Sequence, residues 1–550
     1  MNHLRRATIV ALFMPLVPLV MVGCGDQNPA PIRPKNFIDE SVTAFRSVAT
    51  LGVSGHAVTL DVWVREPERK LRHPGGFVVR TIDEGSPFAG KLAVGDVVYR
   101  VGEEDVPNVA DPTVGLVELI EGAAHEEGPV ELGVLRRGRP TSTSATLDLA
   151  PLDDGLPGLT ARFAGMADAG LDALAHMQQA DGSFKTAEED AGARLLVAAI
   201  AGLAFLSSGE GLGDGTRAMN VRLCMEAARR ELADANSAGH PIALAYALTF
   251  FAEFIDRSSN LELMKDVSSC VAPLLRCQRE DGGFAMRDPA ETLGYSDTTL
   301  ATNVALFALG VAERAGLSTQ GDTVERACVF LKEKTNDGHV TFVTATGFDR
   351  RTEAGRSAGA ATALRALNCE GADPFFTELV AYHRPLANEI VDAPRGRLFH
   401  LLSSALLSKQ GGEGSWLSFH HAQKHRFVAW QRADGSFDPP RSRTPYEFEG
   451  AADGDALATA ILTTILLLPA EELPLSLATK LHPMQPRRDG DGKVVEISGP
   501  VGGPKPPPDA KTMQFGSLEE AREFLESMGV DPDQLEGNVK LGGKKPKKDG

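Results

Sequence analysis

A short pattern, Gln-x-x-x-Gly-x-Phe, recurs three times in this chain at wide intervals and constrains its fold more than any other feature. The copies begin at Gln178, Gln278 and Gln431, and each has Asp directly before its Gly. A weaker copy keeps only the Asp-Gly pair, at Asp337 and Gly338. The Asp-Gly pairs fall near multiples of about fifty residues, a repeat length that indicates helical hairpins stacked on one another. The sequence therefore predicts an array of helix pairs.

The array contains two predicted classes of helix. Outer helices carry a single apolar stripe, as residues 267–275 and 324–331 do. The helices that follow the turns are apolar nearly all round, which is typical of helices surrounded by protein. We expect six such inner helices to close into a ring. They are predicted at residues 191–206, 242–255, 300–312, 358–367, 398–407 and 457–468.

The repeat resembles that of terpenoid cyclases, of the squalene cyclase type, and of protein prenyltransferase β-subunits. The resemblance implies an all-α (α/α)6 toroid over residues 160–472, in which the Gln amide ties helix ends together and the Gly permits a tight turn. Cyclases of this type protonate an alkene with an Asp-x-Asp-Asp cluster, which this sequence lacks. Prenyltransferases hold zinc with Asp, Cys and His, and no Cys follows Asp297 within two residues. We therefore expect no metal and no cofactor.

Residues 38–152 predict a small β-rich domain. Strands are expected at 76–80, 94–102 and 130–136, with a helix at 112–123. The string Gly-Ser-Pro-Phe-Ala at 85–89, followed by Gly-Asp-Val-Val at 95–98, resembles a PDZ domain of the bacterial protease-associated type. Such domains add an extended peptide to a sheet edge and capture its C-terminal carboxylate on backbone N–H groups.

The PDZ resemblance also implies which residues would bind the peptide. The carboxylate loop would be Leu51, Gly52 and Val53, and the groove wall on the helix would include Leu116 and Ile120. The expected partner is a peptide or protein C-terminus. A PDZ fold that is docked permanently on its neighbour, with no free ligand, is the open alternative.

The first 24 residues resemble a bacterial lipoprotein signal. Arg5 and Arg6 precede an apolar run that ends at Gly23-Cys24. Acylation of Cys24 would anchor the chain, with residues 25–37 as a tether. An uncleaved membrane anchor and an ordinary signal with a chance Cys remain open. We expect an exported, lipid-anchored chain on a bacterial membrane, facing the periplasm or the cell exterior.

The remaining segments and the composition limit the partners. Residues 473–511 are predicted as a linker, 512–535 as a short helical segment and 536–550 as a disordered basic tail. The net charge of −18 argues against nucleic acid, because phosphate binding needs a concentrated basic surface. The five cysteines after Cys24 are odd in number, which disfavours a disulfide framework.

Polar residues near the starts of the inner helices are the candidate site of the ring. We expect them to face a shared mouth, with helix capping as the alternative. These residues are His240, Asp297, Arg356, His400 and Asp455.

The leading interpretation is a binding or scaffold protein, in which the PDZ domain captures C-termini and the toroid offers a second ligand surface. The main alternative is an envelope enzyme, a hydrolase or lyase, with its active site at the toroid mouth and the PDZ domain recruiting substrate. The missing motifs favour the first. A third reading, an isoprenoid carrier, needs an aromatic-lined tunnel, and only 6% of the residues are aromatic.

Overall fold

The computed structural model describes most of the chain between residues 45 and 469, and two short strands beyond it. The chain forms two compact units, Met1–Lys480 and Leu481–Gly550. The described residues are 45–59, 75–107, 111–126, 128–150, 152, 160–186, 191–213, 215–234, 239–258, 263–285, 298–316, 321–336, 339–340, 350–367, 374–387, 390, 397–438, 455–469, 487–488 and 494–496.

The first unit begins with an antiparallel sheet and one helix. Its order is β1-β2-β3-β4-β6-β7, with β5 paired to β4. The strands and helix predicted from the sequence are confirmed, and β1, β2 and β7 extend the sheet on both sides. The elements are β1 (Phe45–Val48), β2 (Val53–Thr59), β3 (Gly75–Ile82), β4 (Val97–Val101), β5 (Glu104–Asp105), α1 (Pro112–Ala124), β6 (Val130–Arg136) and β7 (Arg139–Ala145).

In the described residues of the first unit, twelve α-helices follow the sheet, in six outer and inner pairs. The outer helices are α2 (Ala161–Met177), α4 (Ala218–Ala233), α6 (Met264–Arg276), α8 (Gly321–Glu333), α10 (Pro374–His383) and α12 (Glu413–Trp430). The inner helices are α3 (Ala191–Ser207), α5 (Pro241–Ser258), α7 (Thr298–Arg314), α9 (Arg350–Ala366), α11 (Arg397–Gln410) and α13 (Asp455–Leu467).

The inner helices form a closed ring. Each packs against the next, from α3 through α5, α7, α9 and α11 to α13, and α13 returns to pack on α3. Every inner helix also contacts an outer one: α4 lies on α3, α6 on α5, α8 on α7, α10 on α9, α12 on α11 and α2 on α13. Nearly all side chains of α3 and α13 are buried, because ring neighbours and an outer helix enclose them. The predicted ring of helical hairpins is confirmed.

The repeated motif joins outer helices to one another. The Gln178 Nε2 donates a hydrogen bond to the Asn220 carbonyl on α4 (3.1 Å), and the Gln278 Nε2 donates to Thr323 on α8 (2.9 Å). The Gln431 Nε2 donates to Met166 on α2 (2.8 Å). The first two bonds link an outer helix to the next one along the chain, whereas the third links the last outer helix to the first. The implied structural role of these glutamines is confirmed.

Cys224, Cys270, Cys277 and Cys328 are free thiols, and the first three are buried. None of the described helices has both the length and the apolar character needed to cross a membrane. The predicted lipidation site Cys24 lies outside the described residues, as do the predicted helical segment 512–535 and the tail 536–550.

In the second unit, β8 (Arg487–Arg488) pairs antiparallel with β9 (Val494–Glu496). Both strands fall within the stretch predicted as a linker. The β-branched Val494 and Val495 favour the extended conformation there.

Candidate functional site

The loop predicted to receive a carboxylate joins β1 to β2. Gly52 has a φ of +60°, in the left-handed region that glycine adopts without strain. A Cβ added there would lie 2.8 Å from the Ser86 Cβ, so the close approach also requires glycine. The Ser86 Oγ donates to the Leu51 carbonyl (2.5 Å), and the Asp83 N–H donates to the Gly52 carbonyl (2.9 Å). The turn after β3 therefore fixes the direction of two peptide groups in this loop.

The predicted groove wall is packed rather than open. Leu116 and Ile120 on α1 are fully buried, and they belong to the same core as Leu51 and Val53. Helix α1 contacts both β1 and β2. All five predicted peptide-binding residues are thus buried, so the chain itself covers them.

Polar contacts join the sheet to the ring. Arg162, in the first turn of α2, donates to both carboxylate oxygens of Glu121 on α1 (2.6 and 2.7 Å), and Glu121 is 3% exposed. The Trp430 Nε1 at the end of α12 donates to the Asp111 carboxylate, which also accepts from the Thr113 N–H and caps α1 (both 3.2 Å). Helix α1 is therefore held between the sheet and the outer helices of the ring.

Of two predicted mouth residues, one lies farther inside its helix than the sequence indicated, and the other lies near the start of its helix as expected. Arg356 lies in the second turn of α9, because the polar residues before it continue the helix back to Arg350. His400 lies in the first turn of α11, and both side chains are almost fully buried. A Cβ added at Gly355 would lie 2.4 Å from the His400 Cβ, so the imidazole packs directly on α9.

The other predicted mouth residues differ in their surroundings. His240 directly precedes α5 and is half-buried, and its carbonyl accepts the Leu244 N–H (3.0 Å) in the first turn. Asp455 begins α13 and forms an ion pair with Arg432 (2.5 Å), so its carboxylate has a structural partner. Asp297 lies outside the described residues. His400 on α11 thus packs against the turn of α9 that contains Arg356. Asp455 is instead paired with Arg432, in the motif turn that precedes α13.

A small cavity lies at the centre of the ring, and residues of all six inner helices line it. Its volume is about 30 Å³, which accommodates a water or two but not a sugar ring or an isoprenoid chain. Neither Arg356 nor His400 lines it. The lining residues are Ile200, Leu203, Tyr246, Asn303, Val304, Phe307, Gly359, Thr362, Leu402, Ser403, Leu406 and Thr464.

One buried ionisable group was not predicted from the sequence. Glu253, near the end of α5, is 1% exposed, and an Arg314 nitrogen on α7 lies 3.6 Å from its carboxylate. Burial raises the pKa of Glu253 to about 7, while Arg314 and Arg257 oppose the shift. The signal that could have found it is a lone acid within the apolar run 242–255. It lies at the ends of the inner helices opposite to their starts, away from the predicted mouth.

Metal binding finds no support in the part of the chain that the structure describes. No group of three or more His, Cys, Asp or Glu side chains there is arranged to hold a metal ion.

Comparison with known proteins gives no family assignment. No family model matches the chain, and no curated protein matches it either. Among solved structures, an α-1,6-mannanase from a Salegentibacter species aligns at 10% identity over 56% of this chain and 99% of its own, with a TM-score of 0.40. The type II terpene cyclase MstE from Scytonema aligns at 14% identity over 57% of this chain and 100% of its own, with a TM-score of 0.38. A protein from Actinoplanes aligns at 15% identity over 56% and 99%, with a TM-score of 0.38. These scores lie below 0.5, so no argument about fold or activity rests on them.

Proposed function

We propose that this chain is a protein-binding scaffold of the bacterial envelope. The β-rich domain would act as a PDZ domain that receives an extended peptide C-terminus beside β2, and the ring would support it and offer a second contact surface. The observation that carries the proposal is the arrangement at the end of β2, where a glycine loop with two fixed peptide groups meets the flank of α1. Aligned backbone N–H groups at such a loop can bind a carboxylate without a charged side chain.

Within the described part of the ring, the central cavity does not gather the predicted mouth residues. A catalytic pocket needs reactive groups that face a cavity large enough for a substrate. Here the central cavity is about 30 Å³, Arg356 and His400 are outside its lining, and Asp455 pairs with Arg432. The same cavity volume argues against an isoprenoid carrier.

Peptide binding to the purified full-length chain tests the proposal. In fluorescence anisotropy, we expect a library of peptides with free carboxyl ends to include ligands whose binding is lost when the C-terminus is amidated. Gly52→Ala should weaken that binding by about tenfold or more, because its Cβ would push the loop away from Ser86. Gly102→Ala is the matched control, since Gly102 has a similar φ of +54° but open space around it. Peptide affinity that changes neither on amidation of the peptide nor in Gly52→Ala would contradict the proposal.

The anchor is part of the proposal and has its own test. Cys24→Ser should move the chain from the membrane fraction to the soluble fraction and abolish incorporation of a labelled fatty acid. Cys328→Ser, which removes a thiol from outer helix α8, should leave both unchanged. Membrane association that survives Cys24→Ser without fatty-acid incorporation in either chain would favour an uncleaved signal anchor instead.

A further inference from the structure

One strand of the chain already occupies the edge where a peptide would bind. Strand β1 pairs antiparallel with β2 along its whole length, from Phe45 opposite His56 to Val48 opposite Val53. The other edge of β2 pairs with β3. Because a strand has only two hydrogen-bonding edges, no further strand can pair with residues 53–56 of β2 while β1 is in place.

The direction of β1 is that of a bound C-terminal peptide. Its last residue, Val48, lies beside Val53, the last residue of the predicted carboxylate loop, while its first residue, Phe45, lies farther along β2, opposite His56. The Val48 side chain is fully buried in the core that contains Leu116 and Ile120. An apolar terminal side chain of a ligand would need the same place.

Two helices hold β1 against the sheet. It contacts α1, the predicted groove wall, and α12 of the ring. A turn of 3-10 helix, Ala49–Leu51, and Gly52 connect it to β2. Through so short a connection the effective concentration of β1 at the edge is on the order of millimolar, so it competes strongly with any free peptide.

We propose that β1 is an internal ligand that blocks the peptide-binding edge of β2, and that a partner C-terminus binds only after displacing it. This inference rests on the proposed function. The partner it fits is an extended peptide with a small aliphatic residue at its carboxyl end, as Val48 is. The ring takes part, because α12 contacts the strand.

The test uses an octapeptide with the sequence of residues 41–48 and a free carboxyl end as the probe. In the full-length chain, Arg46→Pro with Ser47→Pro removes two successive backbone donors from β1, and one of them must face β2 because neighbouring residues alternate. Arg46→Ala with Ser47→Ala keeps both donors and is the matched control. We expect the proline variant to bind the probe about tenfold or more tightly than the unchanged chain and the alanine variant do.

Hydrogen exchange provides a second readout. The amides of β2 should lose protection in the proline variant and regain it with the probe, while those of β4 and β6 stay protected as evidence of folding. Equal affinity of the unchanged chain and the proline variant would overturn the internal competition but leave peptide binding standing. A folded proline variant that binds no carboxyl-terminal peptide would overturn both. A concentration-dependent dimer of the unchanged chain that dissociates in the proline variant would show exchange of β1 between copies and overturn the internal mode.

Discussion

At the scale of single residues, Gly282 combines a positive φ angle with a close backbone contact. Its φ is +90°, and an added Cβ would lie 2.3 Å from the Arg326 carbonyl oxygen of α8. Gly316 has nearly the same φ, +93°, with open space around it. The pair separates the effect of the φ angle from the effect of the contact.

We therefore expect Gly316→Ala to lower the free energy of unfolding by about 1–2 kcal/mol, the strain of a left-handed residue with a Cβ. Gly282→Ala should cost about 1–3 kcal/mol more, because the turn and α8 must move apart. Urea denaturation of both variants measures the difference. Equal losses would mean that the contact with Arg326 is easily relieved.

Glu253 makes stability depend on pH. Its pKa in the folded chain is about 7, above its ordinary value of 4.5, chiefly because of burial. The folded state therefore holds a proton that the unfolded state releases between pH 4.5 and about 7, and stability falls as the pH rises through that window. Glu253→Gln removes this titration. We expect the stability of the variant relative to the unchanged chain to rise by about 2–3 kcal/mol between pH 4.5 and pH 8.

Urea denaturation at the two pH values measures that change. At each pH, the free energy of unfolding of each variant is compared with that of the unchanged chain. The effect of placing an amide beside Arg314 is the same at both pH values, so it cancels. Glu325→Gln removes an exposed carboxylate from α8 and serves as the control. A relative stability of Glu253→Gln that is the same at both pH values would contradict the raised pKa.

At the scale of elements, the Gln431 bond to Met166 closes the ring, whereas the Gln278 bond to Thr323 joins neighbours within it. Gln431→Ala and Gln278→Ala both leave a carbonyl without its donor, and each should cost about 1–3 kcal/mol. The two variants should differ in which helices lose protection from hydrogen exchange. Hydrogen exchange should increase in α2 and α13 after Gln431→Ala, but in α7 and α8 after Gln278→Ala. The same exchange pattern in both variants would argue against a distinct closing contact.

The inner helices and the core strands could be predicted because their own residues specify them. A run such as 191–206 is apolar on every face, and only a site enclosed by protein suits it. The start of α9 could not be predicted, because its first two turns are polar. Glu353 is buried there, and its carboxylate accepts a hydrogen bond from the Tyr382 hydroxyl (3.2 Å). Tyr382 lies on another helix, so no local sequence pattern reveals this contact.

The site was predicted less well than the fold, also for physical reasons. The residues around Gly52 were predicted from the place of the carboxylate loop in PDZ domains, a resemblance that depends on residues 85–98. The pairing of β1 was not, because four residues without an alternating pattern carry little strand signal. The burial of Arg356 and His400 depends on how α9 and α11 approach each other, as the contact of His400 with Gly355 shows.

At the scale of the whole molecule, the sheet and the ring belong to one compact unit, Met1–Lys480. The bidentate pair between Arg162 and Glu121 lies where α2 of the ring meets α1 of the sheet. Since Glu121 is almost completely buried, removing its partner would leave a charge without compensation. This pair is therefore the contact most suited to test whether the two parts unfold together.

Arg162→Ala should lower the stability by about 3–5 kcal/mol and separate the unfolding of the sheet from that of the ring, visible as two transitions in calorimetry. Arg229→Ala is the control, because its ion pair with Asp266 joins two outer helices within the ring and is more exposed. It should cost about 1 kcal/mol or less and keep one transition. Replacing both Arg162 and Glu121 by Leu should recover much of the loss, because neither charge then remains buried. If Arg162→Ala still unfolds in one transition with a small loss, then apolar packing between α1 and α12, rather than this pair, couples the sheet to the ring.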